Sequence, residues 1–146
     1  MHHFDKRDLR GRTAGYFHHA LSVRFQDVDA AGIVFFARVL DYVHDAYVAL
    51  LAELGSDLPS VLRERRWAAP LRHVEVDYFE PLRFGDRITV TAVAAHVAET
   101  EIVLGWQILR RDGVAAVAQT VHVFVDARSF ERCAVPEPFA PLRAWA

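Results

Sequence analysis

The chain has 146 residues, 53% of them apolar and 25% charged, with a formal net charge of −2. That length suits one domain burying roughly 68–70% of its unfolded surface, and the small acidic balance excludes the concentrated basic face that nucleic-acid binding needs. The single cysteine, Cys133, excludes an intramolecular disulfide and fits a reducing compartment, and no apolar run approaches the roughly 18 residues of a membrane span, so the expectation is a soluble, cytoplasmic protein with no membrane or nucleic-acid partner.

Residues 1–17 carry mixed charge, Gly11 and Gly15, and no periodicity; they are read as an extended or mobile N-terminal arm. His18 to Gln26 alternates, with Leu21, Val23 and Phe25 on one side and Ser22, Arg24 and Gln26 on the other. That pattern predicts a half-buried strand running into the polar turn Asp27 to Gly32. From Phe36 the large apolar residues fall at Val39, Leu40, Val43, Tyr47, Leu50, Leu51 and Leu54. Steps of three and four put them on one face of a long helix, which Gly55 stops. Such a helix runs about 30 Å at roughly 1.5 Å per residue.

Ser56 to Pro70 is a connection with a short helix at Leu58 to Arg65. Leu71 to Phe79 alternates again, then Arg87 to Val97, Glu101 to Arg110 and Val114 to Val125 form three long strands, the last two joined at Arg111-Asp112-Gly113. The tail, 127–146, holds Pro136, Pro138 and Pro141 and is mostly irregular, packed on the domain with one turn of helix around Trp145. The domain proper is 18–126. One long helix against an antiparallel sheet of about five strands is an α+β architecture. Leu104, Trp106 and Ile108 share one sheet face while Val103 and Leu109 occupy the other, more apolar surface than one helix covers; self-association through the sheet would resolve this.

The turn before the helix is the chemically suggestive stretch. Unpaired N–H groups at a helix start polarise a carbonyl that is gaining negative charge. A carboxylate beside them can attack that carbonyl or direct water at it, which is what acyl transfer needs. Gly32 permits a backbone conformation closed to other residues. Aspartate before a helix is nevertheless more often a cap than a reactant.

Arg24-Phe25-Gln26-Asp27-Val28-Asp29-Ala30-Ala31-Gly32-Ile33-Val34-Phe35-Phe36 resembles the signature of hotdog-fold acyl-CoA thioesterases of the 4-hydroxybenzoyl-CoA thioesterase type, roughly D-x-D-x-x-G-[IV]-V-[FYW]. Pro70 to Phe79 and Pro81 to Asp86 resemble the family's second block, and His44-Asp45-Ala46-Tyr47 is similar to a His-Glu-Ala-Tyr run in the 1,4-dihydroxy-2-naphthoyl-CoA branch. The resemblance implies a hotdog fold, a long central helix wrapped by the sheet. It implies hydrolysis of an acyl-CoA thioester, with an aromatic or medium-sized acyl group, to a carboxylic acid and free CoA. Asp29 then acts as nucleophile or general base, the Phe36 backbone N–H at the helix opening binds the oxyanion, and Gly32 shapes the turn. Phe35 and His44 are the substrate-binding candidates, and Asp27 orders the turn. No metal and no cofactor are implied, and the sites lie between protomers of a homodimer or homotetramer. Two rivals stand beside this: a thioesterase for chains carried on acyl-carrier protein, and a non-catalytic hotdog domain that binds acyl-CoA. The sequence shows no metal-ligand spacing, no G-x-S-x-G elbow and no P-loop. Arg72, Arg83, Arg110 and Arg111 are cationic enough to meet CoA phosphates, yet each also reads as a solvated surface charge.

Overall fold

The computed structural model describes residues 1–111 and 113–146. Its elements are α1 (Lys6–Gly11), β1 (Phe17–Ser22), α2 (Arg38–Glu53), α3 (Leu58–Glu64), β2 (Trp67–Ala68), β3 (Leu71–Tyr78), β4 (Arg87–Val97), β5 (Glu101–Arg110), β6 (Gly113–Val123) and β7 (Val125–Asp126), with 3₁₀ turns at Phe25–Asp27 and Glu137–Ala144. β1, β4, β5, β6 and β3 form one five-stranded sheet in that order, and its paired strands are antiparallel. This is the α+β hotdog arrangement. β4 to β6 are rich in valine and isoleucine, which favour a pleated surface buried on one or both sides.

The buried stripe of α2 is Val39, Tyr42, Val43, Ala46, Tyr47, Leu50 and Leu51, a spacing of three and four that turns one face to the sheet. It meets Val90, Ala92, Leu104, Trp106, Ile108 and Ala118 in the main core. The helix ends where Gly55 takes φ +83°. There Gly55 N–H donates to Ala52 O and Ser56 N–H to Leu51 O, so two terminal carbonyls are satisfied in a Schellman closure.

Several boundaries differ from the sequence reading. The first strand ends at Ser22 rather than Gln26. Val23 leaves the sheet to exchange backbone bonds with Gly85 and Asp86, and residues 25–27 then wind into a 3₁₀ turn. The long helix starts at Arg38, two residues after Phe36. The C-terminal helical turn lies at Glu137–Ala144, ahead of Trp145, because Phe139 and Leu142 are drawn into the core. The β2–β7 pair, two residues a side, is too short to leave a periodic signal. The connection expected at Arg111-Asp112-Gly113 includes Asp112, which lies outside the described residues; Arg110 and Gly113 pair across it.

The N-terminal segment is not an unstructured arm. Asp5 accepts from the N–H groups of Arg7 and Asp8 and caps α1. Phe4 and Leu9 are buried against Val93, Ala94, Val103, Val117 and Val121, on the sheet face away from α2. Two buried glutamines receive the segment's backbone. Gln119 Oε1 accepts from Phe4 N–H at 3.1 Å while its Nε2 donates to Phe4 O at 3.0 Å. Gln107 Nε2 donates to Leu9 O at 2.6 Å and to Arg12 O at 2.9 Å, covering carbonyls that the end of α1 leaves open. A Cβ on Gly105 would come within 2.5 Å of Leu9 Cδ2, so this glycine leaves the room that Leu9 fills. The apolar surplus that pointed to self-association is, over this area, covered by the chain itself.

Candidate active site

The turn between β1 and α2 is built around two aspartates with opposite orientations. Asp27 is fully buried. Its Oδ2 accepts from Arg24 N–H at 3.0 Å, Arg24 Nε at 3.2 Å and the Tyr42 hydroxyl at 2.7 Å, and its Oδ1 accepts from Arg24 Nη2 at 3.0 Å. Burial by itself would raise this carboxyl; the hydrogen bonds from Arg24 and Tyr42 and the guanidinium charge outweigh it and hold Asp27 below the usual carboxylate range. Tyr42 is pushed far up in turn, by burial first and then by the aspartate it serves. The Asp27 carbonyl also accepts from Phe35 N–H at 2.8 Å, so one residue anchors both ends of the turn.

Asp29 faces outward. Its carboxylate Oδ1 accepts from Ala31 N–H at 2.8 Å, a local Asx turn. Its backbone closes the loop: Asp29 N–H donates to Ile33 O and Gly32 N–H to Asp29 O, each at 2.9 Å. Gly32 takes φ +80°, which a side chain would resist. Bridges from Ile33 to Arg83 and from Val34 N–H to Leu82 O fasten the turn to the loop before β4.

A cavity of about 400 Å³ opens beside this turn, lined among others by Asp29, Ile33, Phe36, Tyr78, Glu80 and Leu82. That is the size and mixture of a small-molecule site, mostly apolar with a few convergent polar groups. Phe36 precedes the helix instead of opening it, and Tyr78 holds it there by donating a 2.6 Å hydrogen bond to its carbonyl. Among the described residues the Phe36 N–H has no acceptor.

Asp29 and Phe36 therefore share one cavity, with Gly32 at the bend between them. Phe35, 43% exposed, lies against the Phe36 ring with centroids 4.7 Å apart and is outside the residues lining the cavity. His44 is not brought to Asp29. It lies two turns along α2, on a second, smaller cavity with Leu40, Tyr47 and His122. Arg110 is engaged by Glu80 and Asp86, and Arg72 by Glu101. Tyr78 and Glu80 line the site without having been singled out in the sequence; the alternation of Leu71 to Phe79 marks Tyr78 only as sharing a face with Val74 and Val76.

One long helix laid on a five-stranded antiparallel sheet is the hotdog fold, and likeness to known proteins makes its class that of a thioesterase. The chain belongs to the thioesterase-like superfamily, whose sequence pattern matches residues 23–143. Among curated relatives it is 35% identical over 119 residues to a 1,4-dihydroxy-2-naphthoyl-CoA hydrolase of Rippkaea orientalis, covering 80% of this chain and 86% of the relative. It is 34% identical over 116 residues to the enzyme of the same name from Synechococcus elongatus, covering 79% and 85%. Among solved structures, a 1,4-dihydroxy-2-naphthoyl-CoA thioesterase from Synechocystis superposes with a TM-score of 0.81 at 26% identity, covering 88% of this chain and 95% of that one.

Proposed function

We propose that the protein hydrolyses an aromatic acyl-CoA thioester, with Asp29 as its nucleophile or general base. The observation that carries this is that one cavity is lined by both Asp29 and Phe36, whose N–H has no acceptor among the described residues. The relatives' names support an aromatic acyl group. The thioester carbonyl oxygen accepts from Phe36 N–H and gains charge at the start of α2, where the helix dipole favours it. Asp29 either attacks the carbonyl carbon, giving an acyl-aspartyl anhydride that water then opens, or takes a proton from the attacking water. In both routes the C–S bond breaks and CoA leaves as the thiolate, to be protonated. Tyr78, bonded to the Phe36 carbonyl on the following peptide, restrains the backbone next to that N–H.

The site is completed between two copies in a homodimer, alone or within a homotetramer. β3 supports this: it is an edge of the sheet, with Leu71, Val74 and Tyr78 exposed along it. Asp29→Asn keeps the acceptor for Ala31 N–H while removing the charge. We expect kcat for an aromatic acyl-CoA to fall about a hundredfold or more, read as free-thiol release. Turnover within a factor of two of the parent protein removes Asp29 from this role.

A further inference from the structure

Phe4 and Leu9 anchor the N-terminal segment to the back of the sheet, and Gln107 and Gln119 hold its backbone. Three basic side chains of the segment reach past that anchor to β3 and the residue after it. His3 Nε2 meets Glu75 Oε1 at 2.7 Å, and Lys6 Nζ donates to Asp77 Oδ1 at 3.1 Å. The Arg10 guanidinium carbon lies 4.0 Å from the centre of the Phe79 ring. Glu75, Asp77 and Phe79 are alternate residues, so they stand on one face of the strand. Lys6 and Arg10 are one turn apart on α1. The rise of about 6 Å between them matches the roughly 6.6 Å between alternate strand residues, so helix and strand run in step.

Phe79 ties these contacts to the candidate site. It packs against the back-face cluster that includes Phe4 and Leu9, and it also lines the cavity shared by Asp29 and Phe36. Among the described residues no other belongs to both. On the opposite face of the strand, Tyr78 donates to Phe36 O. Within the chain β3 is bonded on one side only, to β6. Its ladder runs out just here, where the N–H groups of Phe79 and Glu80 share one acceptor, Ala115 O, at 2.8 and 3.1 Å. The end of an edge strand is where a sheet opens most easily.

We propose that Arg10 and Lys6 are positioning residues: through Phe79 and Asp77 they brace the strand end that carries Tyr78, and so fix the Phe36 backbone relative to Asp29. The inference rests on the thioesterase reading above. Anchor and brace are separate parts. Burial of Phe4 and Leu9 keeps the segment on the sheet. The Lys6–Asp77 pair, 55% and 34% exposed, adds little to stability. What the pair and the guanidinium over the ring supply is alignment. Catalysis responds to misplacement of well under an ångström, long before the fold does.

The test is steady-state kinetics on an aromatic acyl-CoA, read as thiol release, beside a thermal melt of each variant. Arg10→Ala should lower kcat about fivefold while KM stays within about twofold and Tm hardly moves. Arg10→Lys, which keeps a cation for the ring, should recover most of the loss. Lys6→Glu should also lower kcat, and adding Asp77→Lys should restore it. Arg7→Ala is the control, because Arg7 lies on the same helix but lines a groove with Val93 of β4, away from β3. An unchanged kcat in Arg10→Ala, or an equal loss in Arg7→Ala, overturns the brace. If the parent releases thiol from no aromatic acyl-CoA, the thioesterase reading fails, and amide exchange decides the brace by itself. Arg10→Ala should then quicken exchange at Phe79 and Glu80 while residues 4–9 keep their protection. Unchanged exchange at both positions overturns it.

Discussion

Replacing Asp27 with asparagine tests whether this buried carboxylate holds the turn that carries Asp29. Asparagine fits the space and can keep one oxygen toward Arg24 N–H, Arg24 Nε and the Tyr42 hydroxyl. Its amide group then meets Arg24 Nη2, donor against donor, where Oδ1 had accepted at 3.0 Å. Hydrogen bonds to a charged group contribute about 1.5–3 kcal/mol each. The Arg24 side chain is 54% exposed and regains water, so its loss is discounted to about 1 kcal/mol. The buried Tyr42 bond and the backbone bond lose their charge assistance, adding about 1–2 kcal/mol. The expected destabilisation is thus about 2–3 kcal/mol, a Tm lower by roughly 4–12 °C for a chain of this size. Asp27→Ala should cost about 3–5 kcal/mol, since it strands the Tyr42 hydroxyl without an acceptor. Urea unfolding followed by tryptophan fluorescence, at one fixed protein concentration, measures both. The pH dependence supplies a second check. A carboxyl held below its unfolded value near 3.8 contributes fully above that value and loses its contribution as pH falls through the lower folded value. The gap between parent and Asp27→Asn should therefore be constant near neutrality and close only in strong acid. Asp27→Asn within about 0.5 kcal/mol of the parent would refute the reasoning.

Other perturbations separate positioning from chemistry. Tyr78→Phe removes the hydrogen bond to Phe36 O, and kcat should fall about tenfold with little change in stability, the bond being at a part-exposed site worth about 1 kcal/mol or less; steady-state kinetics beside a thermal melt would show the split. Gly32→Ala forces a side chain into φ +80° with no steric neighbour, so it should cost about 1 kcal/mol of strain in unfolding experiments and lower kcat while the bend shifts. Gln107→Ala leaves the Leu9 and Arg12 carbonyls without their donor, and amide exchange of residues 4–12 should quicken while β5 stays protected.

The long strands and the central helix were legible because their patterns persist over many residues. β4 and β5 are near-continuous apolar runs of ten residues or more, and the α2 stripe repeats through four turns, so local noise averages out. The two aspartates of the turn were visible too, but their division of labour was not. Which one turns inward is decided by Tyr42, 15 residues away in sequence on the neighbouring helix. The helix start was read two residues early because Phe36 belongs to the apolar stripe in composition, while its carbonyl is claimed by Tyr78. The N-terminal segment was missed for a related reason: α1 has six residues, too few for periodicity, and the glutamines that receive the segment lie about a hundred positions further on. His44 and Asp29 were both picked out from motifs, yet nothing in a linear pattern says that they occupy different cavities of one chain.

The back of the sheet is already roofed by the chain's own first residues. Two such molecules cannot lay these surfaces against each other without first peeling away Phe4 and Leu9 and stripping both glutamines of their partners. Any self-association is steered to other faces. A purification handle fused ahead of Met1 would begin beside the stacked His2 and His96 rings instead of trailing freely in solvent.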